Sequence, residues 1–317
     1  MPPAGLCEAD REHCARLLSA GSKSFFAASW LLPARIRPLA TAFYAFCRVA
    51  DDAIDDSDDP KQALVDLHRR VDAIYRGRPH DDPVDRALTW VVYEADIPRG
   101  LVDALLEGFA WDLEPVRYER LEQTLAYSAR VASVVGVVMT LLMGVRDPST
   151  LARACDLGAA MQLTNIARDV GEDARMGRLY LPGQWLRDEG VDPEAFVADP
   201  RPEPGVRRAV QRLLAEAELI YMRAHAGIAA LPRDCRSAIH AAALIYADIG
   251  RVIEQRGYDS VTGRASTSLW RKLWLLSRAW LSRAPIDALA LRAPPLPEVA
   301  FLVDAVRPPA LGPTGAG

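Results

Sequence analysis

Two stretches of this chain, more than 100 residues apart, each begin as an apolar helical pattern and turn acidic along one stripe. The later one, residues 162–173, reads QLTNIARDVGED. On a helix of roughly 3.6 residues per turn, Gln162, Asn165, Asp169 and Asp173 share one stripe, at spacings of three, four and four. The turns before it are apolar: Leu151, Cys155, Leu157, Ala160, Met161. A carboxylate with no partner does not stay charged in such surroundings. Asp169 and Asp173 stand about 6 Å apart along the axis, from a rise of roughly 1.5 Å per residue. That separation suits two carboxylates reaching a shared cluster of hard cations. The earlier stretch, residues 43–56, reads FYAFCRVADDAIDD. There Tyr44, Arg48, Asp51 and Asp55 form a stripe at spacings of four, three and four. Asp52 and Asp56 offer an alternative pair, but their stripe runs back through Val49 and Ala45, which carry no chemistry, so Asp51 and Asp55 are preferred. One Asp-x3-Asp is most simply a solvated helix end. Two apolar helices with matched acidic stripes imply a common cavity holding divalent cations.

The rest of the chain reads as helix. The pattern predicts helices over 8–20, 35–55, 61–76, 83–94, 99–113, 121–143, 149–170, 205–230, 233–256 and 268–283, separated by Pro and Gly breaks. Sustained alternation and Asn-Gly or Asp-Gly hairpin turns are missing, so strands are not expected. No linker divides the 317 residues, half of which are hydrophobic, and the two stripes need one another. The expectation is one all-α domain over residues 1–293, a helical bundle around a central cavity, then a disordered Pro/Gly-rich tail over 294–317. The longest apolar run, residues 131–145, is shorter than the roughly 20 residues that span a bilayer and reads as a core helix. Gly136 and Gly144 in it would let a neighbour or a ligand approach closely. Asp58-Asp59 and Asp81-Asp82 read as helix caps.

Composition excludes several function classes. A net charge of −4 gives no reason to expect nucleic acid. Five widely spaced cysteines without a C-x-x-C indicate neither a disulfide framework nor a zinc site, and fit a reducing cytoplasm. The N-terminus lacks a basic region followed by an apolar core, so it is not read as a signal peptide.

Phosphate chemistry enters at Gly21-Ser22-Lys23-Ser24-Phe25, between two predicted helices. Two hydroxyls, a cation and free backbone N–H groups make a diphosphate anchor, although a Ser-rich helix cap is the commoner use of such a run. Arg48 and Arg168 each stand beside an acidic motif, where they bind phosphate or balance the carboxylates; Arg178 follows in GRLYLP. Trp270, Trp274 and Trp280 alternate with Arg271, Lys272, Arg278 and Arg283 near the C-terminus. A basic amphipathic helix of that kind can rest on a membrane surface. A core-packed helix with a solvated basic side is the plainer reading.

Together SKSF (22–25), FYAFCRVADDAID (43–55) and QLTNIARDVGEDARMGRLYLP (162–182) resemble the squalene and phytoene synthase family of head-to-head isoprenoid synthases, in wording most similar to its bacterial phytoene synthase members. The resemblance implies the class I isoprenoid synthase fold, with two aspartate-rich motifs facing across a deep cavity. It implies Asp51, Asp55, Asn165, Asp169 and Asp173 as ligands of Mg²⁺, with Mn²⁺ as a substitute. It implies Gly21, Ser22, Lys23, Ser24, Arg48 and Arg168 as the diphosphate site, and Tyr44, Gln162 and Tyr246 beside the substrate. One departure stands out. Where members of the family often carry Tyr-Cys-Tyr, this chain has Tyr127-Ser128-Ala129, so the second tyrosine has no counterpart.

The implied reaction joins two geranylgeranyl diphosphates head to head, through a cyclopropyl (prephytoene) diphosphate, into phytoene, in carotenoid biosynthesis. That reaction needs no reductant, and no G-x-G-x-x-G follows a strand, so NADPH is not expected. Synthesis of squalene, dehydrosqualene or hydroxysqualene from farnesyl diphosphate is the alternative within the family, and a non-catalytic assembly factor the alternative outside enzymology. The expected setting is cytoplasmic, with peripheral contact at the inner face of the membrane and with downstream carotenoid enzymes.

Overall fold

Aspartate followed by proline opens helix after helix. Asp59, Asp82, Asp147 and Asp192 each precede a Pro, and each side chain accepts a hydrogen bond from a backbone N–H of the first turn (Gln62, Val84 and Asp85, Thr150, Ala195). The Pro supplies a helix-ready φ where no N–H is needed, and such a cap is worth about 1 kcal/mol. The caps expected at Asp59 and Asp82 are thus in place.

The computed structural model describes residues 5–21, 28–113, 116–281 and 287–307. Its helices are α1 (Glu8–Gly21), α2 (Arg37–Asp55), α3 (Pro60–Tyr75), α4 (Pro83–Glu94), α5 (Arg99–Trp111), α6 (Leu121–Ser128), a π-turn (Ala129–Ser133), α7 (Val134–Leu142), α8 (Pro148–Arg175), α9 (Gly183–Asp188), α10 (Pro193–Ala198), α11 (Pro204–Ala230), α12 (Arg236–Gln255), α13 (Leu269–Leu281), α14 (Ala288–Arg292), a 3₁₀ turn (Pro297–Val299) and α15 (Ala300–Asp304). Among the described residues the only β pairing is an isolated bridge, Arg117 to Leu179.

The spine is α8. Leu151, Ala152 and Cys155 in its first half join a core built mainly from α1 to α5 and α7. Ala159, Leu163, Ile166, Ala167 and Val170 in its second half join a core with α9 to α12. Small residues let neighbours close on it. A β-carbon at Gly136 would lie 2.5 Å from the Ala154 carbonyl oxygen, and one at Gly158 would lie 2.6 Å from that of Ala132. Backbone therefore meets backbone where α7 and the π-turn cross α8. Gly144 does something else: its φ is +79 and nothing lies within 4 Å of a β-carbon there, so it ends a helix rather than admitting a neighbour. Residues Leu121–Leu142 are long and apolar enough to cross a bilayer, but Val134, Val137 and Val138 are sealed in the core.

Two expectations need correction. The core does not stop at residue 293: Val299, Leu302, Val303 and Val306 are buried in the first core. Pro297 opens a turn there instead of marking disorder, while residues 308–317 lie outside the described residues. Nor does α13 bury its apolar side. Only Leu275 and Ala279 are buried, whereas Leu269, Trp270, Leu273, Trp274, Trp280 and Leu281 are all exposed. The ion pair between Arg271 Nε and the buried Asp248 Oδ1 (2.9 Å) fixes the helix on α12 in that orientation.

Candidate active site

The apolar stripes of α2 and α8 create the site by burying everything except their polar ends. On α2, Ala40, Ala42, Phe43, Ala45, Phe46 and Ala50 pack inward. On α8 the same is done by Leu151 through Ala167. Between them, with α7, α11 and α12, lies a cavity of about 320 Å³, within the range of ligand pockets. Its walls are Phe43, Val135, Met139, Met143, Leu157, Met161, Ile228, Leu231, Ile239 and Ile245. Tyr44, Gln162 and Tyr246, three of the sequence-predicted substrate residues, line it too, together with Asn165, a predicted metal ligand.

Above that polar group the acidic stripes continue by one and two turns. Asp51 and Asp55 follow Cys47 on α2, and Asp169 and Asp173 follow Asn165 on α8. Arg178, just beyond α8, ties the stripes together. Its Nη2 donates to Asp55 Oδ1 at 2.8 Å, and its charge also acts on Asp173. Burial pushes the Asp51 carboxyl up to about 6, helped by the charge of Asp55. Burial pushes Asp173 up to about 7, helped by Asp169. Each stripe therefore crowds two carboxylates against one another, which disfavours their charged forms. Asp169 instead holds two guanidiniums: Arg168 Nη2 at 2.5 Å and Arg264 Nε at 2.8 Å. Arg48 reaches Asp52 at 2.5 Å and Asp51 at 3.8 Å.

The donor set fits a divalent cation. Asn165 donates through Nδ2 to Gln162 Oε1 at 3.3 Å, while its own Oδ1 is buried with no hydrogen-bond partner. An orphaned carbonyl oxygen between two crowded carboxylate pairs is an oxygen-ligand set for a hard ion. Among the described residues no three His, Cys, Asp or Glu groups converge to enclose an ion by themselves. A cation bound there would need further oxygens from a phosphate or from water.

Of the predicted phosphate loop, Ser22, Lys23 and Ser24 lie outside the described residues. Gly21 is described, and a β-carbon on it would lie 2.4 Å from the Tyr44 hydroxyl and 3.5 Å from Arg48 Cδ. Gly21, the last residue of α1, thus sits directly over Tyr44 and Arg48, and a side chain at 21 would collide with the Tyr44 hydroxyl.

Residues 18–271 match the family described as squalene/phytoene synthase. The chain belongs to the squalene/phytoene synthase family. Phytoene synthase of Rhodobacter capsulatus is 53% identical over 307 residues, covering 95% of this chain and 91% of the relative. Phytoene synthase of Cereibacter sphaeroides is 50% identical, covering 95% and 88%. A ligand-bound dehydrosqualene synthase structure superimposes with a TM-score of 0.78 at 30% identity, covering 86% of this chain and 96% of that one. A squalene synthase of Alicyclobacillus acidocaldarius, 24% identical, shares the fold with a TM-score of 0.73, covering 79% and 95%.

The sequence reading passed over one cluster. Asp112, just past α5, accepts hydrogen bonds from Tyr127 (2.8 Å) and Tyr180 (2.7 Å), whose rings stack with centroids 4.7 Å apart. Burial raises the Asp112 carboxyl, and its charge acts on both Asp51 and Asp173. It is a third acidic wall between the stripes, with Arg178 beside it. The motif GRLYLP already contained Arg178 and Tyr180, but a single Asp at a helix end carried no signal. Arg264, from the loop before α13, was equally silent.

Proposed function

We propose that this chain is a phytoene synthase, joining two geranylgeranyl diphosphates head to head. The observation that carries the reading is the alliance of a 53% identical phytoene synthase over 95% of the chain with an apolar cavity whose polar end, at Tyr44 and Asn165, lies on the same two helices as the acidic stripes. Asp51, Asp55, Asn165, Asp169 and Asp173 are the residues that would hold Mg²⁺. Bound there, the metal supplies the positive charge that neutralises the departing diphosphate.

The chain's own groups do the rest. Arg48 and Arg168 release their carboxylates to take diphosphate oxygens, joined by the loop at Gly21, Ser22, Lys23 and Ser24. Arg178 moves between Asp55 and the leaving group. Tyr44, Gln162 and Tyr246 orient the reacting end. The walls of Phe43, Met139, Leu157 and Ile245 exclude the water that would quench an allylic cation. The double bond of the second substrate attacks that cation, one proton leaves, and a cyclopropyl diphosphate forms. Loss of its diphosphate, rearrangement and departure of a second proton complete the hydrocarbon, with two diphosphates released in all and no electrons consumed.

Incubating the purified protein with geranylgeranyl diphosphate and Mg²⁺ should give phytoene without NADPH. Chelation should stop diphosphate release, and Mg²⁺ or Mn²⁺ should restore it. Squalene or dehydrosqualene from farnesyl diphosphate, with no product from the longer substrate, would overturn the assignment in favour of the reading that the dehydrosqualene synthase likeness supports.

The exposed face of α13 extends the reading to a lipid surface. Trp270 is 81% exposed and Trp280 70%, beside Arg271, Lys272 and Arg278. Tryptophan and arginine at an apolar helix face suit the bilayer interface, from which a prenyl substrate comes and to which a hydrocarbon product and its downstream carotenoid enzymes belong. The triple substitution Trp270→Ala, Trp274→Ala, Trp280→Ala should abolish flotation with anionic vesicles; flotation unchanged by it would remove α13 from that role.

A further inference from the structure

The cavity follows α8 from Asn165 down to Thr150, about 22 Å at a rise of roughly 1.5 Å per residue. Its lower end holds a group foreign to a hydrocarbon site. Arg153 lines the cavity and is the only buried guanidinium among the described residues, with a side chain 0% exposed. The reaction at the other end has no use for it.

Arg153 is immobilised from several sides. Its Nε lies 2.9 Å from Asp156 Oδ2, a charge contact without hydrogen-bond alignment. Its Nη1 donates to the Ala290 carbonyl at 2.6 Å and its Nη2 to that of Pro294 at 3.3 Å. Arg223 on α11 shares Asp156 (3.2 Å) and donates to Pro294 (2.9 Å). Behind Arg153, a β-carbon on Gly227 would lie 2.3 Å from its Cβ, so the stem has no room to retreat toward α11. Hydrocarbon advancing past this point would have to pull a buried cation from its carboxylate and carbonyls, an expensive separation in a water-poor interior.

We propose that Arg153 is the stop that sets how long a prenyl tail the cavity accepts, and that the segment carrying Ala290 and Pro294 is the outer wall of that stop. The proposal rests on the reading of the cavity as a prenyl diphosphate site. The test compares kcat/KM for geranylgeranyl and geranylfarnesyl diphosphate, read as diphosphate release, in the wild type and in the double variant Arg153→Ala, Asp156→Asn. The amide keeps a contact for Arg223 without leaving an unpaired buried charge. Wild type should favour the shorter tail at least tenfold. The double variant should narrow that preference at least fivefold while still using the shorter tail. Should that variant not fold, Arg153→Lys, which keeps the charge but loses the fork to the two carbonyls, should narrow it at least twofold. A folded variant with an unchanged ratio overturns the stop and leaves the enzyme assignment standing. Failure of the wild type to release diphosphate from either substrate overturns both.

Discussion

Arginine meets aspartate at both ends of the cavity, with opposite consequences. At the rim, Arg48 and Asp52 are 42% and 38% exposed, and Arg178 and Asp55 are 30% and 45% exposed. Water screens such pairs, and each is worth no more than about 1 kcal/mol. A cation or a diphosphate can therefore take one partner at small cost, which is what a site that must bind and release requires. At the floor, Arg153 and Asp156 are sealed. There the two charges depend on one another, on Arg223 and on backbone carbonyls. The same pair of side chains makes an exchangeable contact in one place and a fixed wall in the other, and access to water is the difference.

The comparison breaks most readily at the rim carboxylates. Asp51→Asn or Asp169→Asn should lower turnover at least about 10²–10³-fold, the scale for losing one electrostatic contact to developing charge, with an unchanged circular dichroism spectrum. Near-normal turnover in either variant would mean that the acidic stripes do not act on the leaving group. The second measure contrasts the two arginines directly. Arg153→Ala should lower the unfolding free energy in urea by up to about 3–5 kcal/mol, because it takes from the buried Asp156 its sealed partner and leaves only the partly exposed Arg223. Arg178→Ala should lower it by less than about 1 kcal/mol yet cost at least tenfold in kcat/KM. Equal stability losses in the two would erase the distinction. A last test concerns what joins the ends: Gly136→Ala should cost about 1–3 kcal/mol by overpacking α7 against α8, visible as a lowered melting temperature, and should disturb rim and floor alike.

How far the sequence spoke depended on how local the cause was. Helix starts were legible because an Asp cap and its Pro are adjacent in the chain. Site residues were legible where periodicity put them on one stripe, as at Tyr44, Gln162 and Asn165. The expected end of α8 at Val170 falls short, just before Gly171. The helix runs on to Arg175, and the glycine is there because a β-carbon would lie 2.6 Å from the Val261 carbonyl oxygen. Asp112, Arg264 and the Arg153 cluster were silent for the same reason: each acquires its meaning from partners dozens of residues away. The short helices α9 and α10, six residues each, fall below the length at which an apolar period can be heard. Valines and a leucine among prolines concealed the buried stretch around Leu302.

The π-turn at Ala129–Ser133 bears on how this protein can change over time. By carrying one extra residue it rotates α6 against α7 by about 100°, the angle of a single residue at roughly 3.6 per turn. That rotation lets Tyr127 reach Asp112 while Val135 and Met139, further along the same rod, face the cavity. Losing one position there would straighten the rod and swing a whole face away from its partners. In this stretch the number of residues is as much a part of the architecture as their identity.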